Sequence, residues 1–117
     1  MGHKILVIDD DPNVAEYLTT LFADHGYETC QASDAQMGLE MARSEKPDLI
    51  TLDLEMPGEW GPRFYRKMSQ DPELKNTPVS VIIGLSGHEY AIGKAVATLT
   101  KPFDREQLLK IVRETLI

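Results

Sequence analysis

Lys4-Ile5-Leu6-Val7-Ile8-Asp9-Asp10-Asp11-Pro12 is the stretch that decides the fold. Four aliphatic residues in succession, with no polar alternation, suit a strand covered on both faces, as in parallel sheets. Three aspartates end the run. Asp11 and Pro12 then supply a helix N-cap and a proline at the first helical position, where a missing N–H costs nothing and the fixed φ is already helical. Val14, Tyr17, Leu18, Leu21 and Phe22 follow at helical spacing, and Gly26 marks the stop. The unit is strand, acidic turn, amphipathic helix.

Outward from it the same unit recurs. Tyr27 to Ala32 is expected to form a second strand. Ser33-Asp34-Ala35-Gln36 has the pattern of a capping box opening a helix through Met37, Leu39 and Met41 to about Ser44. Leu49 to Leu54 is a third apolar run, interrupted by Asp53, and Met56-Pro57-Gly58 marks a loop before a helix from about Gly61 to Ser69. Val79 to Leu85 and Val96 to Thr100 are expected to be the fourth and fifth strands. Asp104-Arg105-Glu106-Gln107 opens a last helix with Leu108, Leu109, Val112 and Leu116 on one face. Short buried strands alternating with amphipathic helices predict an α/β fold: a parallel sheet with right-handed crossovers and helices on both faces. Ligands of such sheets gather at the carboxyl ends of the strands.

The 117 residues are 42% hydrophobic, enough for one domain with its own core. A formal net charge of −7 argues against direct nucleic-acid binding, which depends on cationic side chains neutralising phosphates. No signal-peptide pattern precedes the first strand and no apolar run is long enough to span a membrane, so a cytoplasmic location without membrane insertion is expected. Cys30 has no partner for an intramolecular disulfide and is read as a buried, inert thiol rather than a reactive one. His3 and His25 lack companions at metal-ligand spacing.

The residues that end the strands are Asp9 and Asp10, Asp53, Ser86 and Lys101. Singly, each has a plain structural explanation: the aspartates can cap a helix, Asp53 can pair with a surface cation, and Lys101 can be a solvated charge. Together they stand at the ends of four apolar runs whose interiors carry no charge. Carboxylates gathered at one sheet edge repel unless a cation neutralises them, and Mg²⁺, which takes one or two carboxylates, waters and a phosphate, suits that setting. A carboxylate beside Mg²⁺ and a lysine can attack phosphorus as an aspartyl nucleophile.

Ile5-Leu6-Val7-Ile8-Asp9-Asp10-Asp11, Pro47-Asp48-Leu49-Ile50-Thr51-Leu52-Asp53-Leu54-Glu55-Met56-Pro57-Gly58 and Thr100-Lys101-Pro102-Phe103 resemble, in order and spacing, the receiver domains of bacterial two-component response regulators. The resemblance covers essentially the whole chain. It implies a flavodoxin-like (βα)5 fold, a doubly wound five-stranded parallel sheet of order 2-1-3-4-5, with residues 1–117 forming a single receiver domain and no output domain. Asp53 would be the phosphoacceptor. Asp9, Asp10, Asp53 and the backbone carbonyl of Glu55 would hold Mg²⁺, Lys101 would pair with Asp53 or its phosphoryl group, and Ser86 would be the switch hydroxyl beside the small Gly87. The implied partners are a sensor histidine kinase or a histidine phosphotransfer protein, and a downstream protein whose affinity changes with phosphorylation. Such a chain is not an enzyme on outside substrates; it catalyses only its own phosphorylation and dephosphorylation. A monomer or weak dimer is expected.

Two features depart from the pattern. The segment between Ser86 and Lys101 is short, and Gly93 within it costs about 1 kcal/mol of helix propensity relative to Ala, so a short or irregular fourth helix is expected there. Thr98 stands three residues before Lys101, where receivers often carry an aromatic. These features support an alternative, a pseudo-receiver that binds partners regardless of phosphorylation. Ser80 is the competing hydroxyl to Ser86, although strand alternation is expected to hide it. An aspartyl phosphohydrolase acting on outside substrates would use the same acids but lacks a suitably placed second acid.

Overall fold

The computed structural model describes residues 3–53, 60–83, 97–100 and 105–116. The elements in chain order are β1 (Lys4–Ile8), α1 (Pro12–Asp24), β2 (Glu28–Ala32), α2 (Ala35–Glu45), β3 (Leu49–Asp53), α3 (Trp60–Gln70), β4 (Val79–Ile83), β5 (Ala97–Thr100) and α4 (Arg105–Thr115). All strand pairs are parallel, in the order β2-β1-β3-β4-β5, as expected for a doubly wound sheet. The expected short helix between β4 and β5 falls on residues 84–96, outside the described residues.

The period of two along the strands divides the core into two layers. Leu6, Ile8, Ile50 and Leu52 pack with Leu39 and Ala42 of α2 and with Phe64 and Met68 of α3. Ile5, Val7 and Leu49 pack on the opposite face with Leu18, Leu21 and Phe22 of α1 and with Leu108 and Val112 of α4. The uninterrupted aliphatic run of β1 is therefore needed in full, because each face meets a helical layer.

Helix ends follow from local chemistry. Asp11 caps α1 by accepting a hydrogen bond from the Asn13 amide at 2.9 Å. At the other end Gly26 adopts φ 90°, and the ring Nδ1 of His25 lies 2.9 Å from the Leu21 carbonyl, which gives this histidine a structural partner. For α2 the sequence pattern is corrected by one residue: Asp34 rather than Ser33 is the N-cap, accepting from the Met37 amide at 2.7 Å. A carboxylate is the stronger acceptor for a helix-end amide. Arg43 ties α2 to Asp71 at 3.0 Å, and the Glu73 amide together with this guanidinium holds the Asp71 carboxyl below its ordinary range.

Cys30 is half-buried rather than buried, packs against the α2 and α3 layer, and directs its thiol toward the Ile5 carbonyl at 3.9 Å. Desolvation by burial pushes the thiol pKa up, which favours the unreactive protonated form.

Gly38 fixes how closely α2 approaches the sheet. A Cβ at this position would lie 2.7 Å from Ile8 Cδ1 and 3.2 Å from Phe64 Cε1. Gly38→Ala sets the gain of about 1 kcal/mol in helix propensity against a contact that the tip of Ile8 can relieve. Gly38→Val adds branched atoms that cannot be absorbed so easily and is expected to cost about 1–3 kcal/mol in urea denaturation. A valine variant as stable as the parent would show that α2 stands farther from β1 than described.

Candidate functional site

The site is built by strand register. Ile8 of β1 pairs with Leu52 of β3, so the residues that follow, Asp9 and Asp53, meet at the carboxyl edge of neighbouring strands. The Asp9 amide continues the β1–β2 ladder by donating to the Ala32 carbonyl at 3.1 Å. Its Oδ1 accepts from the Asp11 amide at 2.9 Å, which holds the acidic turn against the end of β1. Asp53 closes β3 and pairs with Ile82 of β4. Asp9 and Asp53 are each only 2% exposed, whereas Asp10 faces solvent.

One carboxylate oxygen from each of Asp9, Asp10 and Asp53 lies within 4.8 Å of the others. Opposite ligands across an octahedral Mg²⁺ are about 4.2 Å apart, from metal–oxygen distances near 2.1 Å, so three oxygens at this spacing can share such an ion directly or through its waters. The all-oxygen donor set and the doubled negative charge in a buried setting fit a hard divalent cation better than a soft one. The residues present therefore fit Mg²⁺.

The sequence placed these three acids correctly at strand ends, and the structure brings them together. Ser86, Lys101 and Glu55 lie outside the described residues. Ser80 is fully buried in β4, paired in register with Thr51 of β3, so alternation does hide it as expected. Neither hydroxyl has a hydrogen-bond partner among the described residues. Sequence reading did not single out Thr51; its only signal was a polar residue at an alternate position in an apolar run.

A sequence profile of the response regulator receiver domain matches residues 5–113. The chain belongs to the response regulator receiver domain family. Protein Rrf1 of Nitratidesulfovibrio vulgaris is 40% identical over 116 residues, covering 99% of this chain and 84% of that protein. Protein PilH of Pseudomonas aeruginosa is 33% identical over 117 residues, covering 97% of each chain. Among solved structures, the chemotaxis response regulator CheY4 of Vibrio cholerae superposes with a TM-score of 0.86 at 26% identity, covering 99% of this chain and all of that one. As a receiver domain the chain is a component of two-component signalling, and the family generally binds Mg²⁺ at an acidic pocket. Receiver domains interact with histidine kinases and downstream partners. Among the described residues no helix is long and apolar enough to cross a membrane.

Proposed function

We propose that Asp53 accepts a phosphoryl group from a phosphohistidine, carried by a sensor histidine kinase or a histidine phosphotransfer protein, and that the resulting acyl phosphate changes affinity for a downstream protein. The observation that carries this reading is the burial of Asp53 at the end of β3 with Asp9 and Asp10 within 4.8 Å. A carboxylate oxygen of Asp53 attacks phosphorus in line, and the P–N bond breaks with its electron pair returning to the imidazole. Mg²⁺, when bound by Asp9, Asp10, Asp53 and the Glu55 carbonyl, supplies charge that offsets the phosphoryl oxygens. Lys101 adds a second positive charge and Ser86 a hydroxyl donor to the same oxygens. Hydrolysis of the acyl phosphate resets the protein, so its chemistry is confined to its own phosphorylation and dephosphorylation. The place of action is the cytoplasm, with the chain a monomer or weak dimer.

The pseudo-receiver alternative is less well supported, because a module indifferent to phosphorylation has no need of two buried carboxylates at adjoining strand ends. The deciding experiment is incubation with Mg²⁺ and a small phosphodonor such as acetyl phosphate, followed by intact-mass measurement. One added phosphoryl mass, absent when Mg²⁺ is chelated before the donor is added, is expected. Absence of the adduct, with no transfer from any histidine kinase tried, would leave the pseudo-receiver reading in its place.

Metal binding has its own thermodynamic signature. Mg²⁺ at ten times its Kd is expected to stabilise the folded chain by about 1.4 kcal/mol, a rise of several degrees in Tm, since an unfolded chain does not assemble the three carboxylates. The Asp9→Asn variant should show a smaller rise. Equal rises in both proteins would place the ion elsewhere.

A further inference from the structure

Beside the acid cluster, on the β2 side of β1, the structure contains a second concavity that the phosphoacceptor chemistry does not use. It has a volume of about 450 Å³ and lies between the start of α1 and the β2–α2 connection. Pro12, Ala15, Ala32 and Met37 give it apolar walls, while Glu16 and Asp9 give it negative charge. Asp10 and Asp53 do not line it, so among the described residues only Asp9 is shared with the site described above.

Three observations together define what fits. Met37 is 42% exposed and is one of two large hydrophobic side chains that the described residues leave open to solvent; the other, Tyr17, belongs to a different groove along α1. No lysine, arginine or histidine is among the described residues that line the groove. The helix starts beside it would ordinarily attract anions, but Asp11 and Asp34 already accept hydrogen bonds from the first-turn amides of α1 and α2. The local field is therefore negative, set over apolar walls.

Such a groove matches a long cationic side chain, whose methylene stem lies along apolar surface while its head meets a carboxylate. We infer that the groove between α1 and the β2–α2 connection docks an arginine or lysine side chain, flanked by apolar residues, from an exposed segment of a protein partner. Glu16 is the pairing carboxylate and Met37 the apolar contact. The net charge of −7 draws a basic segment in and disfavours nucleic acid or an anionic membrane as the occupant.

The test is an NMR titration of the full chain with the peptide acetyl-Leu-Arg-Leu-amide, with acetyl-Leu-Glu-Leu-amide as the control. The arginine peptide should give saturable shifts at the amides of Ala15, Gln31 and Ser33 and at the Met37 methyl, and the glutamate peptide should give none. Glu16 is exposed, so Glu16→Gln should fold normally and bind the arginine peptide at least fivefold more weakly. Binding should persist in Asp53→Asn, which separates the groove from the phosphoacceptor reaction. The proposal is overturned by an absence of saturable shifts, by equal responses to the two peptides, or by shifts centred on Asp10 and Asp53 that Mg²⁺ abolishes. Shifts of the same residues that grow with protein concentration alone would assign the groove to a second copy of the chain and overturn it as well.

Discussion

Replacing Asp53 with asparagine is expected to reduce phosphoryl incorporation from acetyl phosphate to background while making the metal-free protein more stable. The first effect follows from nucleophilicity: the neutral amide has no anionic oxygen to attack phosphorus, and neither Asp9 nor Asp10 stands at the end of β3. The second follows from electrostatics. Two carboxylates whose oxygens lie within 4.8 Å of each other repel by roughly 3.5 kcal/mol or more at an effective dielectric constant of about 20. Asp53 also has an interaction of its own that asparagine would alter, so a net gain of about 1–2 kcal/mol is the expectation for chemical denaturation in the presence of a chelator. Intact mass reads the first effect and the denaturation midpoint the second. An adduct that survives in Asp53→Asn would move the acceptor to another residue. An unchanged midpoint would mean that Asp53 is not held against its acidic neighbours.

Phe64→Ala is expected to cost about 3–5 kcal/mol, a large share of the stability of a domain this size. Phe64 is fully buried and, with Met68, anchors α3 to the layer formed by α2 and the sheet. Its ring also meets the close approach at Gly38, so the cavity left by truncation lies where α2, α3 and β1 converge. Leucine would fill part of that space, and Phe64→Leu should recover more than half of the loss. The urea midpoint measures both. A Phe64→Ala protein within 1 kcal/mol of the parent would show that the α2–α3 layer collapses around the gap instead of retaining it.

Much of this was legible in the residue order. The run Ile5 to Ile8 required cover on both faces, and both faces are covered by helical layers. Asp11 before Pro12 specified the start of α1 correctly because an N-cap depends on atoms two residues away. The same locality explains the error at α2: Ser33 and Asp34 are both competent caps, and sequence pattern alone does not decide which adopts the extended backbone that brings its oxygen to the Met37 amide. Cys30 was placed in an apolar segment, but its strand lies at the edge of the sheet, which leaves it half-buried.

The sequence by itself determined where each acid falls along its element: Asp9 one residue beyond β1 and Asp53 at the end of β3. It did so because strand length and termination are set by neighbouring residues. Only the tertiary structure decided that these acids meet. Their contact depends on β1 and β3 lying side by side with Ile8 opposite Leu52, and a slip of one residue would have turned the alternating side chains of β3 to the other face. The approach of α2 at Gly38 and the groove beneath Met37 were decided in the same way. Distances between residues far apart in the chain are fixed by packing and register, which no local pattern encodes.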